Sequence, residues 1–405
     1  MKKIYIILLL AIIGLSAQSQ TAYITNNADN TVSVINVATN TVSYSSLIHV
    51  GSGPNGISVS PDGSKIYVVN QGDNTVSVIS TTADTVLATV TVGNNPDGIA
   101  VSADNSKVYV ANEDDNTVSV ISATADTVTA TINVGDAPEG IAVNANNTKV
   151  YVANYNSDDV TVINTATNNV VNTIIVGTNP EGIAVSPVGN KVYVANSGTS
   201  FVSVINTATN AVMATIPVGN APFGVSVSPD GNKIYVANSD DNTVNVIDST
   251  SNAVTDTITV GTSPMGICVS PDGDKVYVAN SGSNTLSVIS TAADTVSATI
   301  PVGDDPLAFG NFMSTHVTGI APQSMVSANV EVYPNPVINE IKVISNQCSV
   351  SGLEIYNLFG EKIYASPITD NHSLITINVV DLESGVYFIK ATTDKGVAVK
   401  KFIKQ

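Results

Sequence analysis

The chain has 405 residues, 43% of them hydrophobic and only 12% charged, with a net charge of −18. That composition excludes a disordered protein and allows two domains with real cores, while the acidity disfavours nucleic acid and anionic lipid as partners. The absence of arginine removes the side chain best suited to bidentate capture of carboxylate or phosphate, and two cysteines are too few for a disulfide scaffold.

Residues 1–19 read as a signal peptide: Lys2 and Lys3 form a basic start, residues 4–15 an apolar run, and Ala17-Gln18-Ser19 a small-x-small cleavage site. The run is shorter than the ~20 apolar residues that span a bilayer, and no later segment comes close. The expectation is therefore an exported chain with no membrane span after signal removal. Its acidity is uneven: residues 20–324 carry 25 Asp plus Glu against 6 Lys, and residues 325–405 carry 8 against 7.

From residue 20 the chain is dominated by one repeat. Tyr-Val-x-Asn recurs at Tyr67, Tyr109, Tyr151, Tyr193, Tyr235 and Tyr277, each 42 residues after the last, with a Tyr-Ile-Thr-Asn copy at Tyr23. One repeat, residues 138–177, contains four runs of period-two alternation, which makes four strands and one propeller blade. Pro-Asp-Gly turns at Asp62, Asp230 and Asp272 supply the positive-φ positions that tight hairpins need. The repeats resemble the YVTN propeller family of archaeal and bacterial surface-layer proteins over about three quarters of the chain.

The ends of the array specify how the ring closes. A proline-led inner strand occurs at Pro54, Pro96, Pro138, Pro180, Pro222, Pro264 and Pro306, and the Tyr strand also occurs seven times. Yet the Tyr23 strand has no inner strand before it, and residues 306–313 have no Tyr strand after them. The fold class expected is all-β: a seven-bladed propeller over residues 20–313, closed three-plus-one by pairing residues 306–313 with residues 21–50. The first blade is two residues longer, with the excess around residues 43–49, which predicts a bulge in its outermost strand.

Residues 314–329 read as a linker and residues 330–405 as a small β-sandwich. Val332-Tyr333-Pro334-Asn335-Pro336, the run 353–360, Ser384-Gly385-Val386-Tyr387-Phe388-Ile389-Lys390 and a terminal Lys400-Lys401-Phe402-Ile403-Lys404-Gln405 occur in order. Together they resemble a type A sorting domain of the type IX secretion system. That resemblance implies export across the outer membrane of a Bacteroidetes-type bacterium, with the secretion machinery and a sortase as partners. It implies a protein secreted or held at the cell surface.

Signatures of chemistry are missing from the sequence. His49, His316 and His372 fall in different parts of the chain, and no metal-binding helix, nucleophile elbow, phosphate loop or Cys-x-x-Cys pair occurs. The expectation is no catalytic residue, metal or cofactor, with Cys268 filling the small-residue slot of Ala100, Ala142 and Ala184. Asp-Thr followed by Val or Ile at Thr85, Thr127, Thr257 and Thr295 resembles a Bacteroidetes O-glycosylation sequon, although the turn before strand four calls for the same residues. The pairs Asp114-Asp115, Asp158-Asp159 and Asp240-Asp241 lack the spaced oxygens of a calcium loop and read as solvated hairpin tips. Lys65, Lys107, Lys149, Lys191, Lys233 and Lys275 read as a solvated rim.

Function is then sought where the repeats differ. After each inner-strand proline the ring reads Asn55, Asp97, Glu139, Glu181, Phe223, Met265, Leu307. Three adjacent acids thus face three adjacent apolar residues at the channel mouth, with Tyr155 and Phe201 in loops on the same face. A ligand site for something cationic at one end and apolar at the other is one reading. Drift at loop positions, with the apolar trio plugging the channel, is the other. At the level of the whole protein the first expectation is a monomeric, non-enzymatic binding or adhesion module for an unknown protein or glycan. Its rivals are a propeller enzyme or redox protein, of the lactonase or quinoprotein kind, and a self-assembling surface-layer component.

Overall fold

Each Tyr-Val-x-Asn segment is the second strand of a four-stranded antiparallel blade, because its β-branched and aromatic residues alternate between two faces that are both covered. The computed structural model describes residues 20–43, 47–314, 329–346, 350–357, 362–367, 374–380, 382, 384–393 and 396–405. The expected signal peptide, His316, His372, Cys348, residues 358–360 and most of the expected linker lie outside them. The chain divides into two compact units, Met1–Thr318 and Gly319–Gln405.

Blade 4 shows the pattern, with an inner strand Pro138–Val143, the Tyr strand Lys149–Asn154, a third strand Asp159–Asn164 and an outer strand Asn169–Ile175, paired in that order. Blades 2, 3, 5, 6 and 7 repeat it, beginning at Pro54, Pro96, Pro180, Pro222 and Pro264. Blade 1 is built from both ends of the array. Its Tyr strand, Thr21–Asn26, bridges residues 306–313 at Asn26 with Pro306 and Ala22 with Met313. The Tyr23 N–H donates to the Phe312 carbonyl at 3.0 Å and the Leu307 N–H to the Thr25 carbonyl at 3.1 Å. The ring therefore closes by the expected seam.

The outer strand of blade 1 carries its two extra residues where they were expected, with residues 43–47 opposite Ser33 and Val34, although residues 44–46 lie outside the described residues. It is broken into Thr41–Val42 and Ile48–His49, each pairing with Thr31–Asn36. The other six outer strands bulge as well, each by one register shift against the third strand, as between Val120 and Ile121. A bulge present in every repeat adds the same residue to each and leaves the 42-residue spacing intact.

The two fixed residues of the motif have separate tasks. All seven tyrosines are fully buried, and apolar clusters join consecutive blades, as Tyr151 with Ile183 and Val192 of the next. Burying such a side chain contributes about 1.5–3 kcal/mol. The asparagine latches the crossover between blades. Asn70 donates to Thr75 Oγ1 and Ser77 Oγ at 3.0 Å while its Oδ1 accepts the Gly51 N–H at 3.1 Å. Asn26 does the same for Gly303 across the seam.

The lysine ring is a set of interblade clamps, not the solvated rim expected. Lys65 Nζ donates to the Ala123 carbonyl and to both oxygens of Asp126 in the next blade at 2.9–3.1 Å. Lys107, Lys149 and Lys233 bond the equivalent turns 58 residues on, and Lys275 crosses the seam to Val37 and Asn40. The acid pairs are likewise engaged: Asp115 and Asp241 accept the Asn94 and Asn220 N–H groups at 2.7 Å, and Asp158 accepts that of Asn179 at 2.9 Å. They fasten crossovers where solvated tips were expected.

The second unit holds two antiparallel sheets. One is built on Glu340–Asn346 and the other on Val350–Asn357, Gly385–Thr393 and Gly396–Lys404. Ile341, Val343, Leu353, Ile355, Ile389 and Phe402 are buried in its core.

Candidate functional site

Gly56, Gly98, Gly140, Gly182 and Gly224 bring neighbouring inner strands together at one end of the channel. A Cβ on Gly98 would lie 2.1 Å from the Glu139 carbonyl, and one on Gly140 would lie 2.1 Å from that of Glu181. Only glycine permits this approach. The residue preceding each glycine is the rim residue singled out in the sequence, so the close approach draws those side chains together.

The acids come together but do not form an open negative sector. Asp97 and Glu181 are buried, Glu139 is half-buried, and Asn55 is buried beside them. Asp97 Oδ2 accepts hydrogen bonds from Asn55 Nδ2 and Gln71 Nε2, both at 2.8 Å. Its Oδ1 is buried without a hydrogen-bond partner among the described residues. The Glu139 and Glu181 carboxyls meet, and Ser197, whose hydroxyl donates to the Asn179 carbonyl at 3.0 Å, stands beside Glu181. Two buried carboxyls in contact cannot both ionise cheaply. Burial, with the charges of Glu181 and Glu113, pushes Asp97 up to about 8. Burial, the contact with Glu181 and the neighbouring acids hold Glu139 far above its ordinary range, and burial raises Glu181 as well, so the pair retains a proton.

Tyr155 joins this group. Burial and then the charges of Glu181, Glu139 and Glu113 raise its hydroxyl, with Ser197 beside it opposing the shift. On the apolar side Phe223 packs edge-on against Phe309 with ring centroids 5.2 Å apart. Met265 and Leu307 are half-buried, and the Leu307 carbonyl accepts the Gly266 N–H at 3.0 Å. Phe201 is not brought to the mouth. It opens the third strand of blade 5, farther from the channel, where its carbonyl accepts from Asn196 Nδ2 at 2.9 Å.

The sequence reading missed Gln71, Glu113, Ser197 and Phe309. The first three, with Tyr155, occupy the position directly after the motif asparagine, a second variable ring legible from the same repeat alignment. Glu113 accepts from Asn95 Nδ2 at 2.8 Å, and burial followed by the charges of Asp114 and Glu181 raises it. Phe309 belongs to the seam, where no repeat serves as template. Among the described residues no group of His, Cys, Asp and Glu could hold a metal ion. Cys268 is buried and its thiol is pushed up to about 12 by burial.

In the second unit the structure gathers the blocks of the sorting signal. Asn335 Oδ1 accepts the Ile403 N–H at 2.9 Å, and the residue after Pro336, Val337, exchanges bonds with Ile403 and Gln405. Pro334 precedes this contact. Gly385 opens the strand paired with the terminal one, and Tyr387 stacks on Phe402 with centroids 5.5 Å apart. Lys400 is exposed on that terminal strand, and Lys401 follows it there, opposite Phe388.

Residues 331–405 match the model of a secretion system C-terminal sorting domain, and residues 80–175 match that of a seven-bladed β-propeller lactonase. No curated protein matches the chain. Among solved structures, a chain of Kuenenia stuttgartiensis hydrazine synthase superposes with a TM-score of 0.63 at 24% identity, over 68% of this chain and 93% of that one. A functionally unknown protein from Desulfotomaculum acetoxidans superposes with a TM-score of 0.63 at 17% identity, over 72% of this chain and all of that one. These likenesses establish the propeller, and a fold shared this widely does not select an activity. The chain is a propeller protein with a type IX secretion tail, directed to the cell surface or beyond it. Among the described residues no helix is long and apolar enough to cross a membrane.

Proposed function

We propose that this exported propeller is a non-enzymatic binding module whose channel mouth recognises a group that is cationic at one end and apolar at the other. The observation that carries the reading is the buried Asp97 Oδ1, which has no hydrogen-bond partner among the described residues and stands among Glu113, Glu139 and Glu181. A buried carboxyl oxygen without a hydrogen-bond partner costs about 1–3 kcal/mol, and no cation among the described residues of the propeller reaches it. Its six lysines are spent in clamps or rim contacts on the other side of the blades.

An ammonium or guanidinium group from a partner would replace the shared protons, and Phe223, Met265 and Leu307 would cover its apolar flank. The partner in the cell is a protein or glycan bearing such a group, and a sortase handles the tail. The test is titration of the chain with phenethylamine, against its neutral isostere 2-phenylethanol. Binding of the amine is expected, with loss when Asp97, Glu139 and Glu181 are all changed to amides. Equal binding of amine and alcohol would overturn the reading.

The match of residues 80–175 to a lactonase propeller favours a second reading. In it Glu181, paired with Glu139, would act as a general base on water attacking a lactone. Lactone turnover by the wild-type chain, lost in Glu181→Gln, would replace the first reading with this one.

A further inference from the structure

A cavity of ≈ 380 Å³ occupies the central channel, apart from the mouth carboxyls, which are not among its walls. Inner strands of blades 2–7 line it from Pro61 and Pro187 up to Phe309 and Gly310. No lining residue carries a charge, so a charged occupant would be buried without a counter-ion. Its size is that of a small-molecule pocket.

What the walls offer is set by the antiparallel ladder. Alternate residues of an inner strand turn N–H and C=O toward the Tyr strand, and the residues between turn theirs toward the channel. In blade 2 those channel-facing donors are satisfied by the chain's own seam segment. The Ile57 N–H donates to the Phe309 carbonyl at 3.0 Å and the Val59 N–H to the Asn311 carbonyl at 2.9 Å.

Elsewhere a serine of the preceding blade can do this work. Ser58 Oγ accepts the Val101 N–H at 3.3 Å and Ser226 Oγ accepts the Val269 N–H at 3.1 Å. At the same position blades 3, 4 and 5 carry Ala100, Ala142 and Ala184, which have no oxygen to give. The corresponding Val143, Val185 and Val227 N–H groups have no hydrogen-bond partner among the described residues. Three adjacent blades thus present a row of open donors to one cavity.

We propose that this cavity binds a neutral, carbonyl-bearing small molecule of dipeptide-amide size, whose oxygens accept the N–H groups of Val143, Val185 and Val227. The seam segment shows the mode in miniature, with peptide carbonyls docking on a channel-facing strand edge and Gly-Ile-Ala-Val walls covering the apolar parts. The site is independent of the mouth carboxyls.

The probe is N-acetyl-Ala-Ala-amide, added to the full chain and followed by saturation-transfer NMR and by the amide exchange of Val143, Val185 and Val227. Expected are transfer to the probe and at least fivefold slower exchange of these three amides. Both effects should be lost in the triple variant Ala100→Ser, Ala142→Ser, Ala184→Ser, which supplies internally the oxygens that Ser58 and Ser226 already supply elsewhere. Both should persist in Glu139→Gln. No transfer to wild type at millimolar probe overturns the proposal, as does undiminished binding by a folded triple-serine variant. Should that variant fail to fold, unchanged exchange of the three wild-type amides on adding probe overturns it equally.

Discussion

Asn55 Nδ2 donates to Asp97 Oδ2 over 2.8 Å across the junction of blades 2 and 3, leaving the other carboxyl oxygen buried and unbonded among the described residues. Burial holds the Asp97 carboxyl protonated in the folded chain up to about pH 8, against 3.8 ordinarily. Between those values the folded state binds the proton and the unfolded state does not, so stability is full below about pH 4 and falls as pH rises through the window. The slope is at most about 1.4 kcal/mol per pH unit for this group. Asp97→Asn keeps an acceptor for Asn55 and Gln71 and removes the titration. Urea unfolding should show the variant gaining on wild type from pH 5 to 8; a constant difference across that range contradicts the assignment.

Lys275 closes the ring, its Nζ 2.7 Å from the Val37 carbonyl and 3.1 Å from Asn40 Oδ1. Lys275→Met keeps the apolar stem and removes the charged donor, which should cost about 1–2 kcal/mol. Lys107→Met should cost a similar amount inside the array. Only the seam variant should quicken amide exchange at Tyr23, whose N–H bonds the Phe312 carbonyl. Equal protection of Tyr23 in both variants would show that the clamp does not hold the seam.

The glycines of the neck separate two kinds of constraint. Gly98→Ala places a Cβ 2.1 Å from the Glu139 carbonyl oxygen and should cost at least the upper part of the ~1–3 kcal/mol range for overpacking. Gly189 has φ +80° and nothing within 4 Å of an added Cβ, so Gly189→Ala should cost only the backbone conformation, about 1 kcal/mol. Thermal unfolding of the two variants checks the order.

The repeat made the architecture legible because identical tasks recur at identical spacing. Tyr67 and its six counterparts, the latch asparagines and the unmatched ends at Tyr23 and Pro306 together specified blade, number and seam. Position around the ring was equally legible, and the three mouth acids are indeed adjacent. Burial was not, because spacing locates Glu139 and Glu181 without saying that their side chains meet and share a proton. The lysines were misread for the same reason: Lys65 reaches a turn 58 residues away, a contact between repeats that no single repeat displays. Phe309 lies in the seam, where the repeat ends and offers no template.

The two functional readings part on turnover. A binding module should leave γ- and δ-lactones unhydrolysed beyond the buffer rate across pH 5–9, measured by pH-stat. Turnover that disappears in Glu181→Gln would assign the mouth to chemistry.

The central claim, that a cationic group exchanges for protons held by the mouth carboxyls, is tested most directly by calorimetry of phenethylamine binding at pH 7 in two buffers of different ionisation enthalpy. The account predicts release of about one proton per amine bound, since Asp97 and the Glu139–Glu181 pair hold protons beforehand, and no release in the variant with Asp97, Glu139 and Glu181 as amides. Binding of the amine with identical heats in both buffers would contradict it.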